Sequence, residues 1–160
     1  MRVKPVPVPP DSLDDLEGIR RAVPLVPEPE ASCCERLAAR AGIDPEDASD
    51  WLTFLRGLGL VREGDSGFYR TREDPPLEDA LRSGIYGVRE VEGILRGSEE
   101  PLTPDEIATR FEAVPHWERH RHRDPEAVWR ERVGRLAGWL ALVGLAKRTD
   151  RGYVASEAQS

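Results

Sequence analysis

The 160-residue sequence has two cysteines, Cys33 and Cys34, and because they are adjacent they offer neither a disulfide framework nor a Cys-x-x-Cys zinc site. A reducing, cytoplasmic setting is expected. No apolar run approaches the roughly 20 residues needed to cross a bilayer, and the opening Met-Arg-Val-Lys-Pro-Val-Pro-Val-Pro-Pro has no apolar segment of signal type. Neither a membrane anchor nor export is expected. Lysine is nearly missing: Lys4 and Lys147 are the two present, and every other base is arginine. Positive charge is in the minority, 23 basic against 30 acidic residues for a net charge of -7. That is the wrong sign for a protein that coats nucleic acid without selection. There is no Gly-x-x-x-x-Gly-Lys phosphate loop, no Gly-x-Ser-x-Gly elbow and no alternating strand and helix pattern to build a cofactor crevice. Nothing fixes a nucleophile, a base and an orienting group together, so neither catalysis nor a cofactor is expected. What the chain does have, 39% hydrophobic and 33% charged residues, suffices for the core of one domain or two small ones.

An internal repeat is the strongest positive signal. Shifted by 85 positions, Leu55-Arg-Gly-Leu-Gly-Leu-Val-Arg-Glu-Gly-Asp-Ser-Gly-Phe68 falls without a gap on Leu140-Ala-Leu-Val-Gly-Leu-Ala-Lys-Arg-Thr-Asp-Arg-Gly-Tyr153. Leucine, glycine, leucine, a base, aspartate, glycine and an aromatic coincide. Upstream, Leu37, Ala38 and Arg40 match Ile107, Ala108 and Arg110, and Glu17-Gly18-Ile19 matches Glu92-Gly93-Ile94. The matches keep their order while the offsets change, so insertions lie between elements.

Each copy reads as three helices and a hairpin. The first helix is expected over residues 12–23 and 87–96, stopped by Pro24, Pro27 and Pro29 in one copy and by Gly97 and Pro101 in the other. The second follows Pro29 or Thr103-Pro104, where Thr103 and Glu106 make a capping box, and runs to about Ala41 or Phe111. The third starts at Asp44-Pro45 or Asp124-Pro125, with aspartate as cap, and ends near Gly57 to Gly59 or Gly144. A short strand, a turn at residues 64–67 or 150–152, and a second strand from Phe68 or Tyr153 make the hairpin. Phe68 and Tyr153 are expected to anchor the two hairpins alike. The expected divisions are a proline-rich arm over residues 1–10, extended or partly disordered, a first domain over 11–72, a linker over 73–79 and a second domain over 80–156. The second domain carries an inserted loop, residues 113–124, where the first needs only Gly42-Ile43.

Three helices followed by a two-stranded hairpin, with Leu-x-x-x-Gly-Leu closing the third helix, resembles the winged helix-turn-helix family in two tandem copies. The resemblance implies a mainly α fold with small β-hairpins, in the α+β class. It implies no single function, because winged helices serve both as DNA readers and as protein-binding modules. An unrelated helical bundle with a chance hairpin is the alternative. The acidic excess with arginine in place of lysine is similar to the proteins of halophilic archaea, although GC-rich coding produces the same bias. Inside a salty cell, electrostatic binding to DNA is further weakened.

In a DNA-reading winged helix the third helix enters the major groove and the hairpin touches backbone or minor groove. At about 100° per residue, Ala48, Trp51, Leu52, Leu55 and Leu58 turn inward in copy one, while Glu46, Asp50, Thr53 and Gly57 turn outward. Outward carboxylates repel phosphates, so copy one reads as a poor DNA reader. In copy two Trp129, Val133, Leu136, Leu140 and Val143 turn inward, Ala127, Glu131, Gly134, Gly138 and Ala141 turn outward, and Arg130 and Arg135 lie on the shoulders. Each outward mid-helix glycine costs about 1 kcal/mol against alanine, which points either to close approach by a partner or to simple tolerance. From Arg119 to Arg151 nine bases stand against four acids, concentrating positive potential on the insertion, third helix and wing. The candidate DNA-binding residues are therefore Arg123, Arg130, Arg135, Lys147, Arg148 and Arg151. Against this, Arg132 and Arg135 can instead cover apolar flanks or pair with carboxylates.

His116, His120 and His122 all fall in the insertion. His116 and His120 have ligand spacing for zinc, but no glutamate follows His116 and three nearby arginines oppose a cation, so a solvated loop is preferred and no metal is expected. On the second helix of copy one, Cys34, Leu37, Ala38 and Ala41 form the expected inner face, with redox sensing by Cys33 as the lesser reading. Two functions follow. One is a transcriptional regulator that binds double-stranded DNA through its second domain. The other is a non-enzymatic protein adaptor that makes its contacts through Ala127, Gly134, Gly138, Ala141 and Trp117. For the latter, residues 94–108 are similar to the kleisin-associated ScpB-like subunits of chromosome condensation complexes. A homodimer is compatible with both.

Overall fold

The computed structural model describes residues 5–112 and 114–156, so the first four residues of the proline-rich arm and Ala113 of the insertion lie outside the described residues. The chain divides between Tyr86 and Gly87 into two compact units. The first contains α1 (Leu13–Ala22), α2 (Glu30–Ala41), α3 (Ala48–Gly57), β1 (Val61–Gly64), β2 (Gly67–Arg70) and α4 (Leu77–Gly84). The second contains α5 (Val88–Arg96), α6 (Pro104–Arg110), α7 (His116–Arg121), α8 (Pro125–Leu142), β3 (Ala146–Thr149) and β4 (Gly152–Ala155). Each unit has the three helices and antiparallel hairpin of a winged helix, in an α+β arrangement.

Local chemistry sets the helix ends. Ser12 Oγ accepts from Asp15 N at 3.1 Å to start α1, the reciprocal Thr103 and Glu106 box starts α6, and Asp124 accepts from Ala127 N at 3.1 Å to start α8. Helix α3 begins at Ala48 rather than at the expected Pro45. There Asp44 uses its carboxylate on Glu46 N and its carbonyl on Asp47 N, closing a separate turn before the helix.

The repeat holds at the level of single hydrogen bonds. Leu60 N donates to Leu55 O, and Thr71 N to Leu60 O; 85 residues on, Leu145 N donates to Leu140 O, and Ser156 N to Leu145 O. Gly64 pairs with Gly67 across the first wing, as Thr149 pairs with Gly152 across the second. Each wing also docks on an isolated bridge preceding its second helix: Phe68 N donates to Glu28 O at 2.8 Å, and Tyr153 N to Leu102 O at 2.8 Å. Tyr153 is buried, as an anchor should be, but Phe68 is only half-buried, so the two aromatics are not equal in weight.

The core includes every residue expected inward on the third helices except Val143, which is half-buried, and it adds the repeat-equivalent pair Phe54 and Trp139. Residues 5–10 of the proline-rich arm form no helix or strand, in keeping with an extended arm, and Val6 and Pro7 are buried. Three expectations are corrected. Residues 77–84, split between the expected linker and second domain, form α4, which packs on α3 within the first unit through buried Ala80 and Leu81. The insertion is not a plain loop, because it contains α7. On α2 it is Cys33, not Cys34, that faces inward, with its sulfur 3.6 Å from Glu28 O and 3.7 Å from Phe68 O at the docked wing.

Candidate functional site

Helix α8 packs against α5, α6, α7 and β3, so its buried arc is wider than a single stripe. Gly134, expected outward, is half-buried, and a Cβ there would lie 3.5 Å from the ring of Pro104 on α6. That is ordinary van der Waals distance, so the packing on α6 leaves room for alanine and does not itself require glycine. Gly138 and Ala141 are half-buried as well, and of the expected small-residue face only Ala127 and Glu131 are exposed. Trp117, on α7, is 53% exposed.

The arginines divide by what already holds them. Arg130 Nε lies 3.3 Å from Asp105 of α6, and Arg135 pairs with Glu131 one turn back on α8. Arg132 lies over the Trp129 ring at 5.3 Å, covering an apolar flank. On the wing, Arg148 stands opposite Tyr153, with its guanidinium 5.8 Å from the ring centroid. Arg123, immediately before the cap of α8, Lys147 on β3 and Arg151 in the wing turn are exposed. Among the described residues, the side chains of these three have no hydrogen bond or ion pair. An uncompensated exposed base can take a phosphate without first giving up a carboxylate. In the first unit Glu46 and Asp50 are exposed, as expected for a poor reading face.

Sequence reasoning missed a cleft of about 680 Å³ between α6, the insertion and the first half of α8. Its apolar floor includes Phe111 and Trp129, stacked with centroids 5.7 Å apart, and its polar lining includes Asp105, Arg119, Glu126 and Arg130. The length of the insertion was its one trace in the sequence. His116 and His120 approach to 3.4 Å between their Nε2 atoms, while His122 lies 3.7 Å from buried Glu118. Among the described residues no group of three or more histidine, cysteine or carboxylate side chains forms a metal site. No helix among them is long and apolar enough to cross a membrane.

No curated protein and no solved structure matches the chain. A family model does, over residues 1–160, and the chain belongs to that family, the halobacterial double winged helix domain.

Proposed function

We propose that the protein is a non-enzymatic, cytoplasmic transcriptional regulator that binds double-stranded DNA through its second unit. The reading is carried by Arg123, Lys147 and Arg151, three exposed bases without ionic partners among the described residues, at the entry to the third helix and on the wing of a chain whose net charge is -7. These positions flank the elements that a winged helix offers to a groove and its phosphates. Arg148 joins them from the wing, while Arg130 and Arg135 must exchange a carboxylate for a phosphate and contribute less. The adaptor reading retains exposed Trp117 and Ala127, but Gly134 already meets α6.

Fluorescence anisotropy with genomic DNA fragments across a potassium chloride series tests this. Lys147→Glu/Arg151→Glu is the informative variant because neither side chain supports the fold, unlike Arg148 over Tyr153. It should abolish saturable binding, whereas Glu46→Ala/Asp50→Ala should leave it equal or slightly tighter. Absence of saturable binding by the unaltered protein refutes the DNA reading and directs attention to Trp117 and a protein partner.

A further inference from the structure

Exposed Glu46 and Asp50 stand just before and on the third helix of the first unit, but the wing of that unit is charged differently. At the wing base lies a groove of about 320 Å³ lined by Leu25, Arg62, Tyr69, Arg70, Arg72 and Glu73. Arg62 occupies both carboxylate oxygens of Glu73, at 3.1 and 3.2 Å, so that acid is already neutralised. Arg70 and Arg72 have no side-chain hydrogen bond or ion pair among the described residues, and Arg70 Nε is closed off from solvent without an acceptor. Two positive charges therefore remain uncompensated around one groove.

The backbone that carries them is fixed. Arg70 is in register with buried Val61 and donates its N–H to Pro24 O at 2.7 Å. Between the two arginines Thr71 is buried, with its hydroxyl donating to Gly59 O at 2.9 Å and its N–H to Leu60 O. Thus the anchor points are held while the guanidinium heads are uncommitted. The second wing has no counterpart, since the shift of 85 residues puts Val154 and Ala155 where the first has Tyr69 and Arg70. The wing fold alone does not impose this cluster.

We infer that the base of the first wing is an oxyanion site that takes a phosphate group. Phosphate suits the fork geometry of two uncommitted guanidiniums because its non-bridging oxygens can accept from both; free phosphate brings up to about two negative charges, while a backbone diester brings a single charge shared by its two free oxygens. The group can belong to a DNA backbone or to free phosphate. The inference stands apart from the reading of the second unit.

Two measurements on the full chain separate the sources. Inorganic phosphate is titrated into the ¹⁵N-labelled protein, following the arginine Nε–Hε signals, and the DNA salt series is repeated with Arg70→Gln/Arg72→Gln. Saturable shifts of the Arg70 and Arg72 signals, with an unchanged salt slope for DNA, assign the site to free phosphate. A fall of about 1.8 in the slope of log K against log salt assigns it to two backbone contacts. If the double variant fails to fold, Arg72→Gln alone, at an exposed residue, should lower the slope by about 0.9. No arginine shift together with an unchanged slope overturns the inference. Lys147→Glu/Arg151→Glu, measured alongside, reports on the second unit independently.

Discussion

Three glycines of the second unit separate the forces that hold its wing. At Gly152 φ is +130°, and a Cβ would stand 2.3 Å from Leu102 O, 2.4 Å from its carbonyl carbon and 2.8 Å from Thr103 N. All three are backbone atoms, so no side chain can turn aside. Gly152→Ala must adopt a conformation costing about 1–3 kcal/mol. It must also lift the wing from Leu102, whose two hydrogen bonds with Tyr153, 2.8 and 2.9 Å long, contribute about 0.5–1.5 kcal/mol each. The expected loss is about 2–6 kcal/mol. Gly144 has φ +86° with nothing within 4 Å of a new Cβ, so Gly144→Ala should lose only the left-handed backbone cost of about 1–2 kcal/mol. Gly93 lies exposed inside α5 with open space around it, and Gly93→Ala should gain about 0.5–1 kcal/mol. Equilibrium unfolding at fixed salt, followed by tryptophan fluorescence, to which buried Trp129 and Trp139 of this unit contribute, measures the series. If Gly152→Ala costs no more than Gly144→Ala, the wing is not docked on Leu102 and the reasoning fails.

Other outcomes follow from burial and capping. Tyr153→Ala should cost about 3 kcal/mol and Phe68→Ala clearly less, because only Tyr153 is buried; equal losses in denaturation would contradict the difference in docking. Burial raises the thiol of Cys33 above its ordinary 9.0. The unfolded chain ionises first, so the stability from this group is intact below pH 9.0 and declines as pH climbs through that value towards the folded one. A thiol reagent at pH about 8 should modify Cys34 before Cys33, and equal rates would show that Cys33 is accessible. The backbone hydrogen bond from Thr103 holds the Glu106 carboxyl below its ordinary 4.5. Its contribution is therefore present above 4.5 and lost as pH falls through the lower folded value; a ¹³C carboxyl titration with its midpoint at or above 4.5 would remove the capping box.

Much of the fold was legible because the repeat fixes it twice. The match of Gly67 to Gly152 carries the turn and the strand register, which are local, whereas the bridge that docks each wing joins distant residues, Glu28 with Phe68 and Leu102 with Tyr153. Helix α4 was missed because Pro75-Pro76 reads as a linker, although Leu77, Ala80 and Leu81 follow at helical spacing and the proline at its N-cap is compatible with a helix start. Phe54 and Trp139 were missed for a different reason. A helix wedged between several elements buries more than one stripe, and that width depends on neighbours the window does not contain. The candidate site was legible as a concentration of bases but not as an order among them. That Arg130 meets Asp105 of another helix, while Arg123 meets no acid among the described residues, is a tertiary fact.

That order matters most in salt. At 1 M the screening length is about 3 Å, so the repulsion between DNA and an overall charge of -7 largely vanishes beyond direct contact. What persists is the hydrogen bond between a guanidinium or ammonium and a phosphate oxygen it touches. The number of uncommitted bases at a contact, rather than the net charge, then decides binding. If Arg123, Lys147 and Arg151 each contact one phosphate, the slope of log K against log salt should be about -2.7, and a rise from about 0.2 to 2 M should weaken binding about 500-fold. Engagement of Arg70 and Arg72 on the same duplex would steepen the slope to about -4.5. Pairing of Arg130 and Arg135 with acids at rest argues against slopes much steeper than this, because each new phosphate contact would release a carboxylate along with the counterions. A flat salt series would mean that the protein touches no DNA phosphates; Arg123, Lys147 and Arg151 would then lose the role assigned to them, and Arg70 and Arg72 would keep theirs for free phosphate alone.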